Sequence, residues 1–348
     1  MKLTHEPLLS IIIPTLNSAA TLQQCLQAIT DQTMPRSEYE IVIADAGSQD
    51  ETVEIAQRCG VDKVVTNELK TGEAGKAAGI TASNGALIAL IDSDNILPDR
   101  NWLERMTAPF KNAGIVASEP LHYTVRPADH PLTRYFAMLG MNDPLCLFIG
   151  NYDRYCAVTG KWTGVKLEQT DCGDYLEVSL TPQALPTIGA NGFIFHRLLL
   201  EEVQWHPYFF DIDVVHQAVC AGHTQIAKVK TGIIHLYCTR LGDFARKQRR
   251  RIRDYLYFSQ TRERTYPWDQ QKRSGVVLFC IATVLVWPLL YQMVRGYMRR
   301  PDRAWLYHIP ACWITLWLYG TATLAKITGH RQAPVSRDTW QSTPPAVK

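Results

Sequence analysis

The chain has 348 residues, 46% of them apolar, and a formal charge of only +3. That composition excludes a disordered chain, leaves room for one large α/β domain with an appendage, and gives no reason to expect nucleic acid as a partner. Nine cysteines are scattered without C-x-x-C or Cys/His spacing; their odd number argues against a disulfide framework, so a reducing, cytoplasmic setting is expected for the main domain.

Residues 8–13 form a short apolar stretch ended by Pro14, which reads as a first strand rather than a secretory signal. Up to about residue 110 the patterns then alternate: strand at 9–13, helix at 21–30, strand at 41–44, helix at 50–58, strand at 64–65, helix at 75–82 and strand at 86–91. This alternation predicts an α/β fold with a mainly parallel sheet and helices on both faces. Residues 113–186 are less regular and rich in aromatics, glycine and aspartate, as in Gly150-Asn-Tyr-Asp-Arg154. Irregular stretches of that length are expected to carry function.

Further on, Arg246-Lys-Gln-Arg-Arg-Arg-Ile-Arg253 concentrates positive charge in the manner of segments that sit by phosphates or an anionic membrane. Residues 275–294 run for twenty residues without a charge, and 304–325 form a second uncharged run bearing Trp305, Trp313, Trp317 and Tyr319. Both are long enough to cross a bilayer, with Pro288 and Pro310 as expected kinks. The connection holds Arg295, Arg299, Arg300 and Arg303, which offends the positive-inside tendency if the first run crosses outward. A re-entrant or interfacial hairpin is therefore the alternative expectation.

The clearest chemical signal is the break at the end of the strand Ala86-Leu-Ile-Ala-Leu-Ile91, where the chain continues as Asp92-Ser-Asp-Asn95. Strand periodicity points Asp92 and Asp94 the same way at the carboxyl end of a sheet, where open α/β sheets bind ligands. Hard oxygen donors placed there suit a divalent cation that also holds a phosphate-bearing substrate, and a plain turn after a strand is the competing reading.

Ile11-Ile-Ile-Pro-Thr-Leu-Asn17, Ile41-Val-Ile-Ala-Asp-Ala-Gly-Ser48 with Gln49-Asp-Glu-Thr52, Gly75-Lys76 and Asp92-Ser-Asp94 follow in an order and spacing that resembles family 2 glycosyltransferases of the GT-A fold. The resemblance implies a nucleotide-sugar-binding, Rossmann-like domain over 1–240, with 1–112 as the nucleotide half and 113–240 as the acceptor half. A basic interfacial segment (241–273), two hydrophobic membrane helices (274–327) and a polar tail (328–348) would follow. It further implies that Thr15 and Asp45 contact the base and ribose, with Asp45 accepting an N–H of a uracil-like ring. Lys76 would lie near the diphosphate, Asp92 would reach ribose or metal, and Asp94 would bind Mn2+ or Mg2+ directly. Ala46 stands where many relatives carry a second aspartate.

Downstream, Gly189-Ala-Asn-Gly-Phe193 resembles the small-residue turn beside the family's sugars, and Asn191 joins the donor-binding residues. Asp211, eleven residues before Gly222, keeps the position of the family's general base, with Phe210 in place of the preceding glutamate and Asp213 as the nearest competitor. His235 occupies the place where many relatives supply a histidine to the metal. Gln248 and Arg251 resemble the Q-x-x-R-W signature of membrane-bound relatives, with Ile252 replacing the tryptophan; Arg251 would neutralise the leaving diphosphate.

The function so implied is inverting, metal-dependent transfer of a sugar from a nucleotide sugar, by family habit uridine-linked, to a hydroxyl of a lipid-linked acceptor at the cytoplasmic membrane face. A hydroxyl needs the base that Asp211 supplies. The alternatives are a polyprenyl-phosphate glycosyltransferase, whose anionic acceptor needs no base, and a non-catalytic, membrane-tethered nucleotide-sugar-binding protein. The central expectation is that Asp92, Asp94 and Asp211 converge with His235 around one ion and its diphosphate.

Overall fold

A computed structural model describes residues 7–261, 264–266 and 273–327; the expected polar tail at 328–348 lies outside the described residues. The first half alternates as the sequence pattern predicts: β1 (Leu9–Thr15), α1 (Ala19–Thr30), β2 (Tyr39–Asp45), α2 (Thr52–Arg58), β3 (Lys63–Thr66), α3 (Gly72–Thr81) and β4 (Leu87–Leu90). These strands pair in the order β3-β2-β1-β4, all parallel. β1 is apolar almost throughout because both its faces are covered. Ile11 and Ile13 pack with Leu22, Leu26 and Ile29 of α1, while Ile12 packs on the opposite face with Ala77 and Ile80 of α3.

Helix α3 lies close on β1 because it presents glycines four residues apart. A Cβ on Gly79 would stand 2.5 Å from Ile12 Cγ2, and one on Gly75 would stand 2.8 Å from Pro14 Cβ. That approach carries Lys76 to the carboxyl ends of the strands.

The second half departs from a mainly parallel sheet. It comprises β5 (Asn95–Ile96), α4 (Trp102–Thr107), β6 (Ala117–Tyr123), α5 (Pro131–Leu139), α6 (Leu145–Ile149), β7 (Glu168–Asp171), β8 (Tyr175–Ser179), β9 (Phe193–His196), α7 (Asp211–Cys220) and β10 (Gln225–His235). The sheet continues β4-β9-β6-β10-β8-β7, with β5 pairing β10. β9 is antiparallel to both β4 and β6, and β10 is parallel to β6 but antiparallel to β8 and β5. The sheet is therefore mixed. β9 enters between two older neighbours by non-local pairing, which a local alternation pattern does not report.

Four helices follow: α8 (Leu241–Thr261), α9 (Arg273–Leu285), α10 (Trp287–Arg299) and α11 (His308–Ile327). The first uncharged run is thus two helices bent by 96° rather than one, and among the described residues no single helix is long and apolar enough to cross a membrane. Neither uncharged run is thus the single crossing helix expected of it, and the first, taken as a bent pair, has the length and composition of a broken span or a re-entrant loop. In a continuous helix Pro288 would leave the Val284 carbonyl unbonded; restarting the helix at Trp287 puts the proline in a first turn, where no N–H is required.

Candidate active site

Two strand ends build the first part of the site. β5 and β10 pair antiparallel with Asn95 opposite His235, and Leu236 N donates to Asp94 O at 2.9 Å. The stitch sets His235 Nε2 3.5 Å from Asp94 Oδ1. Lys247 of α8 approaches the other oxygen, Oδ2, at 3.5 Å and donates to the Tyr237 carbonyl. Burial opposes the charge on Asp94, but His235 and then Lys247 outweigh it and hold the carboxyl down at about 2. Lys247 was not singled out from the sequence; its only signal was that it stands four residues before Arg251, on the same helix face.

The second part joins α3 to α7. Lys76 Nζ lies 2.8 Å from Asp211 Oδ1 and 2.6 Å from Oδ2, and Phe209 N donates to Glu73 O at 2.9 Å, tying the start of α7 to α3. Burial pushes the Asp211 carboxyl up to about 6 even though Lys76 pulls it down, with Asp92 and Glu73 adding to the rise. The lysine stays protonated, since Asp211 and Asp92 outweigh its own burial. Asp92 therefore feels the Lys76 and Asp211 pair electrostatically. Asp213, the competitor for the base, is buried among Arg264, Thr265 Oγ1 and Tyr266 N, the last at 2.8 Å. It holds residues 264–266 in place.

Asp45 and Thr15 sit side by side in register at the ends of β2 and β1. The Asp45 carboxylate accepts from Thr15 Oγ1 at 2.9 Å, Ser48 Oγ at 2.6 Å, Ser48 N at 2.8 Å and Gly47 N at 2.9 Å. Burial works against its charge, but the Ser48, Thr15 and Gly47 bonds prevail and keep the carboxyl below its usual range. Its lone-pair sites are filled by its own loop and by Thr15 of β1.

Between the two parts runs the turn at 189–192. Gly192 N donates to Leu90 O at 2.8 Å, and Asn191, at φ 52°, accepts from Asn95 Nδ2 at 3.1 Å and donates to the Tyr123 hydroxyl at 3.2 Å. Gly189, at φ 129°, backs onto Asp211: a Cβ there would lie 2.8 Å from Asp211 Cβ. Behind the turn is a buried charge network that sequence reading did not find. Arg154 and Lys228 meet Glu119 Oε2 at 2.7 and 2.6 Å, all three side chains fully enclosed, and Arg154 also meets Asp153. Arg154 Nη2 donates to the carbonyls of Ala190 and Asn191, and Glu119 Oε1 accepts from Gly189 N at 3.1 Å. Arg154 and Glu119 thus clamp the backbone of the turn, with Lys228 and Asp153 completing the charge network around them.

On α8, Gln248 is fully buried and accepts from Arg251 Nη1 at 3.1 Å. Arg251 is held 4.0 Å from Asp143 Oδ2, which also takes the Tyr319 hydroxyl of α11 at 2.8 Å. Arg251 is thereby tied to the helical appendage, one turn beyond Lys247.

The expected single cluster is therefore two adjoining pairs. Asp94 stands with His235, and Asp211 stands with Lys76; among the described residues no three His, Cys, Asp or Glu side chains are grouped to hold a metal ion. Three carboxylates closing on one ion would repel one another without it, and each of Asp94 and Asp211 has taken a lysine instead. A two-donor set of one ionised carboxylate and one imidazole still fits a hard divalent cation that completes its shell with substrate phosphate and water, as magnesium sites commonly do. His235 Nδ1 is buried and has no hydrogen-bond partner, so the ring lacks the outer support usual for a permanently held metal.

The glycosyl transferase family 2 model matches residues 10–201, more than half of the chain. The chain belongs to glycosyl transferase family 2. The resemblance of its motifs is borne out by that match. It is 38% identical over 114 residues to glycosyltransferase AglE of Haloferax volcanii, covering 31% of this chain and 37% of that protein. It is 34% identical over 107 residues to a PGL/p-HBAD biosynthesis glycosyltransferase of Mycobacterium bovis, covering 29% and 41%. The chain thus spans under half the length of these curated relatives. In fold this family 2 chain is similar to the mannosyltransferase PcManGT of Pyrobaculum calidifontis, solved with GDP-Man and Mn2+, with a TM-score of 0.53, 16% identity, and 94% of this chain and 89% of that one covered.

Proposed function

We propose that this protein transfers a sugar from a nucleotide sugar to a hydroxyl of a lipid-linked acceptor, by a single inverting displacement at the cytoplasmic face of a membrane. The observation that carries the reading is Asp211: a carboxylate held ready to titrate near neutrality, backed by Gly189, and paired with a lysine that has a second use.

Thr15 and the Asp45 loop would receive the nucleoside. Because the Asp45 carboxylate is already filled by Thr15, Gly47 and Ser48, a base N–H would gain access by displacing one of its two hydroxyl donors, Thr15 Oγ1 or Ser48 Oγ. The diphosphate would draw Lys76 off Asp211, and Lys247 and Arg251 would meet the negative charge that grows as the nucleotide leaves. Relieved of its lysine, Asp211 takes the proton of the acceptor hydroxyl as that oxygen bonds to the anomeric carbon and the carbon–oxygen bond to the diphosphate breaks. Asp94 and His235 would hold a divalent cation, Mn2+ or Mg2+, which when bound supplies positive charge to the diphosphate oxygens. The exposed apolar side chains of α9–α11 support a lipid-linked acceptor, since they place a greasy surface on the same body as the base.

The test is incubation of membranes containing the protein with a panel of radiolabelled nucleotide sugars, followed by lipid extraction. Label that enters the organic phase and resists mild acid is expected. Acid-labile lipid label assigns a polyprenyl phosphate as acceptor, and label confined to the aqueous phase overturns the lipid-linked reading. A non-catalytic donor-binding protein would give no turnover of donor at all.

A further inference from the structure

Among the described residues, most large exposed apolar side chains fall within residues 276–324, with Val284, Leu285, Trp287, Leu290 and Tyr291 around the bend between α9 and α10. Each arm of the bend has 13 residues, about 20 Å of helix against about 30 Å of bilayer hydrocarbon. Neither arm reaches across.

Both outer ends of the bent pair rest on the catalytic body. At the start of α9, Gly275 is pressed against α6 so closely that a Cβ would lie 2.7 Å from Phe148 O, and Phe279 packs edge-on to Phe148 at 5.3 Å. At the end of α10, Arg299 Nη1 donates to the carbonyls of Ala157 at 3.1 Å and Val158 at 2.8 Å. The chain leaves the body and returns to it, and Trp287 at the bend is 65% exposed.

Charge selects the partner. Arg299, Arg300 and Arg303 are exposed at the end of α10 and just after it, and Arg249 of α8 lines an apolar groove with Trp313 and Trp317 of α11. The only acidic residue in 273–327, Asp302, is held by Arg134 at 2.8 Å. An apolar bend with a basic margin complements an anionic lipid surface, whereas a second copy would bring the same positive margin against it.

We infer that α9 and α10 form a monotopic wedge that dips the bend at 284–291 into one leaflet of an anionic bilayer and returns to the side it left. The inference rests on the membrane reading above. It also removes the conflict over the arginines at 295–303, which stay among the headgroups on the side of the catalytic domain.

The full chain is tested by flotation with phosphatidylcholine vesicles, with and without phosphatidylglycerol, beside the double variant Leu285→Glu/Trp287→Glu. Both substituted side chains are exposed, and an unchanged melting temperature verifies the fold. In parallel, Ser274→Cys and Pro301→Cys are placed singly in a Cys172→Ser/Cys220→Ser background and reacted with an impermeant maleimide from outside the vesicles. The wedge predicts flotation that strengthens with phosphatidylglycerol, at least tenfold weaker partition of the double variant, and labelling of both cysteines from the outside. Flotation indifferent to the double substitution, or labelling at 301 only after lysis, overturns the wedge and leaves the membrane reading standing. No flotation with either lipid overturns the membrane reading itself, and a dimer that the double variant dissolves would then assign this face to a second copy.

Discussion

The ammonium of Lys76 chelates Asp211, standing 2.8 Å from one carboxylate oxygen and 2.6 Å from the other. The group suited to take a proton and the group suited to meet a phosphate neutralise each other until a donor arrives.

The pair gives a pH signature. Asp211 is pushed up to about 6 by burial, and a base acts only when ionised, so kcat/KM, which reports the free enzyme, should fall as pH drops through about 6. Lys76 is a force that lowers that value. Lys76→Met should therefore move the acid limb to higher pH and also weaken donor binding, both read from a pH series of initial rates.

Asp211 and Asp213 should fail differently. Asp213 is enclosed with Arg264 and takes the Tyr266 amide at 2.8 Å, so Asp213→Asn should cost about 3 kcal/mol of stability. That corresponds to a melting temperature roughly 6–12 °C lower. Asp211→Asn should lower it less, because Lys76 loses its partner but the carboxylate removed is one that burial already disfavours. Thermal denaturation of the two variants decides.

The clamp behind the 189–192 turn gives a third expectation. Glu119→Gln leaves Arg154 and Lys228 enclosed with a single carboxylate, at a cost of about 3–5 kcal/mol. Adding Lys228→Met removes the surplus charge, and the double variant should melt higher than Glu119→Gln alone. A double variant less stable than the single one would show that the network is not held by charge balance.

Much of the first half of the fold was legible because its signal is local. Alternating apolar runs located β1, β2 and β4 and the helices between them within a few residues, and the Asp92 to Asn95 break marked a strand end. What was missed is non-local. β9 joins β4 to β6 by pairings that no periodicity carries, and Glu119, Arg154 and Lys228 come from separate strands and loops whose meeting only the topology reveals. In the basic stretch of α8, composition could not tell the inward Lys247 from the outward Arg249 and Arg250. The uncharged run at 275–294 read as one span because hydropathy says nothing about the backbone break at Val286.

The two-donor pair makes a prediction about metal. Asp94 and His235 alone, with Lys247 competing for the carboxylate, should bind Mn2+ weakly in the free protein. Calorimetry should show at least tenfold tighter Mn2+ binding once a nucleoside diphosphate is present, because phosphate oxygens complete the shell and occupy the cations. Asp94→Asn should abolish that gain. Tight binding by the free protein would point to a further ligand.

The most direct measurement is of Asp211→Asn, with sugar transfer and donor affinity determined side by side on the purified full chain. Transfer should fall by about 10²–10⁴, while donor affinity stays the same or tightens because Lys76 is freed for the diphosphate. Turnover equal to that of the unaltered protein would contradict the assignment of Asp211 as the base and the acceptor chemistry built on it.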